Sequence, residues 1–302
     1  MKRRRWFIPS SEEIEARKRQ IKRSLYLLKK TPTSIVGLVI ISFYLIIALI
    51  APYLAPPTSW DPYHIPTIPS MEPQPPDQKH PFGTGQYGID ILYGVIWGSR
   101  SCFQIAITVV AIALSIGIPL GVVSGYYRGV TDELIMRITD IFLSLPSIVL
   151  AMAFAAVLGP GLGNLSIALA LIWWPRYARL MRGEVLAVRV KDYVRAAKAM
   201  GSSSFRIISK HIIPNSIQSL IVVASIDLGT VILFAAGMSF IGLGAPPGTA
   251  EWGALLNASR DWISQGKWWT FLFPGAAIFL YVMGWNLIGD AFGDLLDPRV
   301  QR

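Results

Sequence analysis

The sequence predicts an all-α membrane protein with six transmembrane helices, and three observations lead there. Of its 302 residues, 53% are hydrophobic and only 15% are charged, against about 25% charged in soluble domains. The apolar residues fall into long runs, six of which approach or exceed the ~20 residues that a bilayer-spanning helix needs. Lys and Arg gather before and between those runs, as retention of positive segments on the cytoplasmic side demands. Length alone would suggest two soluble domains, but a mean hydropathy of +0.48 makes lipid the solvent and one helical bundle the better reading.

The elements follow in order. Residues 1–33 form a basic N-terminal segment, carrying Lys2, Arg3, Arg4, Arg5, Arg17, Lys18, Arg19, Lys22, Arg23, Lys29 and Lys30, and are expected in the cytoplasm. The first span, 34–54, is too long for a cleaved signal peptide and shows no small-residue cleavage site, so it is expected to stay as an anchor. Residues 55–102 form an extracytoplasmic loop whose first part, 55–81, is rich in proline and poor in basic residues. The helical core, 103–292, holds spans near 103–126, 139–158, 164–180, 219–243 and 269–292. An even number of spans returns the tail, 293–302, to the cytoplasm, so both termini lie there. The segment between the fourth and fifth spans, 183–218, is likewise inside, with Arg189, Lys191, Arg195, Lys198, Arg206 and Lys210. Trp252, Trp262, Trp268 and Trp269 match an interfacial aromatic belt.

Within the second span Gly117, Gly121 and Gly125 recur every four residues, a stripe that lets another helix backbone come close. Pro119, Pro146 and Pro175 each remove a backbone hydrogen bond and can kink their spans. Asp227 is the ionisable residue well inside a span, where a charge costs ~2.5 to 3.5 kcal/mol even on lenient scales. It either lines a translocation path or pairs with a polar group on a neighbouring helix. Asp140, Arg176 and Asp290 fall nearer predicted span ends, where snorkelling or headgroup contact is the cheaper explanation.

Several chemistries are disfavoured. Gly83, Gly85 and Gly88 spell G-x-G-x-x-G, but a dinucleotide fingerprint must follow a buried strand and open a helix, and here a proline-rich loop precedes it. There is no G-x-x-x-x-G-K-[ST] phosphate loop, so an ATP site of that kind must belong to another chain. His64, His80 and His211 are dispersed, which argues against a metal cluster or triad. Cys102 is alone and reads as a small apolar residue. The net charge of +10 is better matched by anionic lipid headgroups than by nucleic acid, because its cations cluster at membrane-facing segments. Asn257 begins a glycosylation triplet of a kind common by chance.

The most informative stretch is 193–215, YVRAAKAMGSSSFRIISKHIIPN. An amphipathic helix runs to Gly201, Ser202 to Ser204 make a short turn, and a second helix starts near Phe205 and runs toward Pro214. A DNA-reading helix-turn-helix is the competing class, but nearby spans on both sides deny it access to DNA. A docking surface for a cytoplasmic protein fits better.

This loop resembles the EAA loop of ABC importer permeases, with Ala196, Ala197, Gly201 and Pro214 at matching places and Arg195 where the family carries glutamate. APYLAP at Ala51, HPFGTGQYGID at His80, DELIMRITDIFLSLPS at Asp132, YARLMRGEVL at Tyr177, MSFIGLGAPPGTAEWG at Met238 and NLIGDAFGDLLDPR at Asn286 resemble the C-type permease of dipeptide and oligopeptide importers. The resemblance implies a type I ABC importer permease working with a second permease, two ATPase subunits that hold the ATP and Mg, and an extracytoplasmic solute-binding protein. No cofactor is expected in this chain. It implies an ATPase-coupling loop built from Arg195, Ala196, Ala197, Gly201, Ser202, Ser203, Phe205 and Pro214. Relatives of this type carry peptides, oligosaccharides or nickel. An ATP-independent secondary transporter is the alternative of a different class.

Overall fold

A computed structural model describes residues 32–296, and its regular elements are helical. The basic residues of the N-terminal segment and the last six residues lie outside the described residues. The elements are α1 (Pro32–Leu54), α2 (Ile91–Tyr127), α3 (Gly129–Ser144), α4 (Ser147–Leu158), α5 (Leu162–Arg189), α6 (Asp192–Ala199), α7 (Ser204–Ile207), α8 (Ile213–Ile241), α9 (Trp252–Ser259) and α10 (Trp269–Leu296). Four helices are long and apolar enough to cross a membrane: α1, α2, α10 and a continuous helix in which α7 runs into α8. A bent pair, α3 with α4, makes a fifth if counted as one span.

Two of the expected spans take a different form. The third is broken, its halves meeting at 92°. Leu145 is extended (φ −91, ψ 144) ahead of Pro146, because the proline ring disfavours helix in the residue before it, and the helix restarts at Ser147. The fourth lies in α5, a helix of 28 residues. Its second half carries Arg176, Arg179 and Arg182, so it falls short of a span on apolarity. Pro119 and Pro175, by contrast, sit inside continuous helices.

The glycine stripe explains the centre of the bundle. A Cβ at Gly117 would lie 2.6 Å from the Tyr177 Cβ, one at Gly121 2.5 Å from the Ala178 carbonyl oxygen, and one at Gly125 2.8 Å from the Val185 Cβ. α2 and α5 therefore meet backbone to backbone, and no side chain can enter between them. This contact fixes how α5 presents its arginines. α8 and α10 pack beside the pair, α1 lies against α2 and α10, and α3 and α4 flank α5.

One end of the bundle is covered by the segment 55–90 and by α9. Ile65 N–H donates to Gly248 and Ala250 N–H to Tyr63, stitching that segment to the approach of α9. Trp97 and Tyr93 donate to the carbonyls of Ala55 and Pro62. The glycine-rich HPFGTGQYGID stretch is a packed turn: Gly83 (φ +72) leaves room for Trp269 and Gly88 (φ +69) for the Ile68 backbone, while His80 meets Asp90 at 2.7 Å. Trp252 and Trp269 are buried rather than interfacial. Trp252 lies on Gly98, where a Cβ would approach it to 2.5 Å, and its indole donates to Val95. Of the predicted belt, Trp268 is exposed. Asn257 spends its side-chain amide on the Phe240 carbonyl. Glu251 is fully buried, accepting from the N–H groups of Gly253 and Ala254 at the start of α9, and burial pushes its carboxyl above the usual range.

Candidate functional site

The loop at the other end of the bundle is a helix pair with a firm turn. α6 closes with Gly201 N–H donating to Lys198 and Ser202 N–H to Ala197, the paired bonds of a Schellman motif. Such a turn needs a left-handed residue, and Gly201 supplies it at φ +78 with nothing within 4 Å of where a Cβ would sit. The turn is thus strained by other residues through its backbone, not through a clash. Val194, Ala197, Ile207 and Ile212 are buried and hold the pair to the bundle. The opposite face is open: Arg195, Ala196, Gly201, Ser203, Phe205 and Pro214 are exposed, Ser202 is half-buried, and Ala197 alone of the predicted set points inward.

Two large apolar side chains stand out from this face, Met200 and Phe205, each 81% exposed. Sequence reasoning took Phe205 and missed Met200. Spacing hid it, since Met200 follows Val194 and Ala197 at the same interval of three and reads as inward-facing, whereas the helix ends at Ala199 ahead of the glycine turn and leaves Met200 outside. Beyond Phe205 the chain passes through a π-helical turn, Ile208–Ile212, into α8. The wider turn lets Pro214, which has no N–H to donate, enter the first turn of α8 without breaking the rod. Asp227 stands midway along α8, 13 residues past Pro214 and so about 20 Å along the axis. The structure therefore brings the loop residues together and places Asp227 apart from them.

Asp227 belongs instead to a set of ion pairs on α5. Arg176, Arg179 and Arg182 recur every three residues, which keeps them on neighbouring stripes of one side of that helix. Arg176 reaches Asp227 of α8 at 2.8 Å. Arg179 pairs with Asp140 of α3. Arg182 grips Asp132 of α3 with two bonds, Nε to Oδ1 at 2.6 Å and Nη2 to Oδ2 at 2.8 Å. Arg176 and Asp140 are thus tied to other helices, and snorkelling does not describe them. Asp227 is 0% exposed and Arg176 53% exposed, so this pair has one side in the bundle and one at its surface. Asp290 is exposed on α10. Among the described residues no group of three or more His, Cys, Asp or Glu is placed to hold a metal ion.

Comparison with known proteins gives a consistent result. The family described as binding-protein-dependent transport system inner membrane component matches residues 117–302, and the N-terminal TM domain of oligopeptide transport permease C matches residues 20–76. The dipeptide transport system permease protein of Alkalihalophilus pseudofirmus is 44% identical over 91% of this chain and 88% of its own length. The probable D,D-dipeptide transport system permease protein of Escherichia coli is 45% identical over 91% of this chain and 90% of its own. Among solved structures, a chain of the MetNI methionine ABC transporter in inward-facing conformations superposes with a TM-score of 0.55, covering 68% of this chain and 98% of that one, at 19% identity. That last likeness is one of fold.

Proposed function

This chain belongs to the family of binding-protein-dependent transport system inner membrane components, and from that premise we propose how it works. It is a multi-pass permease subunit of an ABC importer. In our reading six spans cross the membrane, with α5 and the bent α3–α4 pair joining the four apolar helices, and both termini face the cytoplasm. The cargo is a dipeptide or oligopeptide, as the relatives' names suggest. ATP and Mg reside in two separate ATPase subunits, a second permease completes the pathway, and an extracytoplasmic binding protein delivers the cargo.

The observation that carries this reading is the exposed pair of Met200 and Phe205 flanking a rigid glycine turn. Two apolar side chains held out on a stiff hairpin suit insertion into a groove on a partner protein, the helix-in-groove mode. α7 is continuous with α8, so a push on Phe205 travels along one rod to Asp227, 22 residues or about 33 Å away. The kinked and ion-paired helices around α5 then have two arrangements to choose between, inward-open and outward-open, biased by what the ATPases do. Asp227 and Arg176 sit where that rod meets α5, beside the path.

Gly201→Asp tests the coupling. Aspartate tolerates the left-handed region better than most residues, and the space around Gly201 is open, so it strains the turn less than other side chains would while the loop tip gains a charge. Membrane insertion is expected to remain and peptide uptake to fall to background. Normal uptake by this variant would remove the main support for the coupling loop. Purification by a tag on this chain is expected to bring an ATPase and a second permease with it, whereas solute transport by the lone chain would favour a secondary transporter.

A further inference from the structure

Next to the coupling loop lies a cavity of about 750 Å³ bordered by the ends of α2 and α5 and by α6 and α7. Its charged lining is entirely basic: Arg128, Arg189, Arg195 and Lys198. None of these four is in an ion pair among the described residues, in contrast to Arg176, Arg179 and Arg182 a few turns away. The remaining wall is amphipathic, with Tyr126 and Tyr127 on one side and apolar residues such as Leu186 and Ile207 on the other.

Arg128 adds an independent sign. It joins α2 to α3 with φ +61 and ψ −162, a region that is costly for any residue with a side chain and cheap for glycine. An arginine kept where glycine would be easier points to a use for its guanidinium. Arg189 meanwhile lines the cavity and reaches only the Gly125 carbonyl, at 3.5 Å, which leaves most of its donors without a protein partner among the described residues.

We propose that this cavity binds a phosphate group, namely the headgroup phosphodiester of an anionic phospholipid. Arginine and lysine donors around a cavity whose lining holds no carboxylate, with Asp132 acting on Arg128 only through its field, suit a phosphate, and basic pockets between helices at the cytoplasmic end of a bundle suit anionic headgroups. The tyrosines and the apolar wall match the junction between headgroup and acyl chain, which a small soluble anion would not need. The site depends on the cytoplasmic placement of the coupling loop given above. Because Arg195 and Lys198 are on α6, a lipid seated here touches the arm that receives the ATPase stroke. Anionic lipid is then a cofactor of coupling.

The test uses the full transporter complex, purified through this chain and placed in nanodiscs of phosphatidylcholine with increasing phosphatidylglycerol. Native mass spectrometry reads bound lipid and ATP turnover reads coupling. The probe variant is Arg128→Gly with Arg189→Gln, which relieves the backbone at 128 and leaves Arg195 and Lys198 in the coupling loop untouched. Wild type is expected to retain phosphatidylglycerol and respond to it saturably. The variant should need about 25-fold more, roughly fivefold for each cation removed, at a thermal stability no lower than that of wild type. Millimolar inorganic phosphate that fails to displace the lipid identifies the headgroup as the occupant, and displacement by it identifies a phosphate site served also from solution. Equal lipid retention in variant and wild type overturns the proposal. Loss of the ATPase from the variant, with lipid retention unchanged, also overturns it, by assigning the cations to an acidic protein partner. Accessibility labelling of 193–215 reports on orientation separately, so a misplaced loop and an empty pocket give different results.

Discussion

The two ends of this bundle are held by different forces. Around the segment 55–90 and α9, closure is made of backbone and aromatic rings: carbonyls take indole and phenol protons, and Tyr44, Trp252, Tyr281 and Phe103 stack edge to face. Around α3, α6 and α7 the exposed surface is wide, and Arg–Asp pairs from α5 hold α3. Packed backbone and rings have one good arrangement, since interiors tolerate little change in shape. Ion pairs between helices can be exchanged for others as the helices shift. A transporter needs both, a body that does not deform and an arm that does, and the glycine-backed α2–α5 contact is where they join.

That division fails if the α2–α5 contact is not rigid. Gly121→Leu is expected to be the most damaging change, because its Cβ would stand 2.5 Å from a backbone oxygen that cannot move aside. The loss should be about 3 kcal/mol or more, seen as a steep drop in thermal stability in detergent. A variant that melts with wild type would show that the two helices part easily.

The ion pairs come next, and their asymmetry sharpens the comparison. Arg176→Gln leaves the carboxylate of Asp227 buried with no counter-charge, which costs about 3 kcal/mol, the low end of the range for a buried pair because this guanidinium is half-exposed. Asp227→Asn leaves a guanidinium that is already half in the open and forfeits one charged hydrogen bond, about 2 kcal/mol. The arginine variant should therefore be the less stable of the two. Equal effects would mean that Asp227 is solvated, and that the middle of α8 is wetter than its burial indicates.

Much of this was legible in the sequence, and the misses share a cause. The apolar runs, the glycine stripe and the loop around Gly201 are local patterns, and local patterns carry their own geometry. Pro146 announced a kink, but a 92° break depends on what α3 and α4 pack against. Arg176 was read as a span-end residue because hydropathy measures position along one helix, whereas its role is set by Asp227, 51 residues away. Trp252 and Trp269 were read as interfacial because tryptophan is common there. Their burial follows from Gly98 and Gly83 making room, a pairing visible only across the fold. Glu251 announced itself weakly, as an acidic residue one step before a helix start.

Glu251 gives a pH test of the rigid end. Its carboxyl is raised by burial, so the unfolded chain ionises first as pH climbs. Stability linked to this group is therefore greatest in acid and falls as pH rises from the ordinary carboxylate value through the raised one. Glu251→Gln removes that slope. A carboxamide has one acceptor oxygen for two N–H donors, so the variant loses about 1 kcal/mol in acid and closes on wild type as pH rises. Thermal melts from pH 4 to 8 that remain parallel would show that the carboxyl ionises freely.

The smallest effect on stability is expected at the other end. Phe205 is 81% exposed and contributes little to the packing of the isolated chain, so Phe205→Ser should shift stability by less than about 0.5 kcal/mol. Its effect belongs to the complex. If the side chain fills a groove on the ATPase, its truncation should weaken co-purification and uncouple ATP turnover from peptide uptake while the melting curve stays in place. Met200→Ser should do the same, and the two losses should be less than additive if both side chains enter one groove. A variant that transports normally would mean that the exposed pair is an ordinary surface, and that the arm is driven through the buried contacts of Val194 and Ile207 instead.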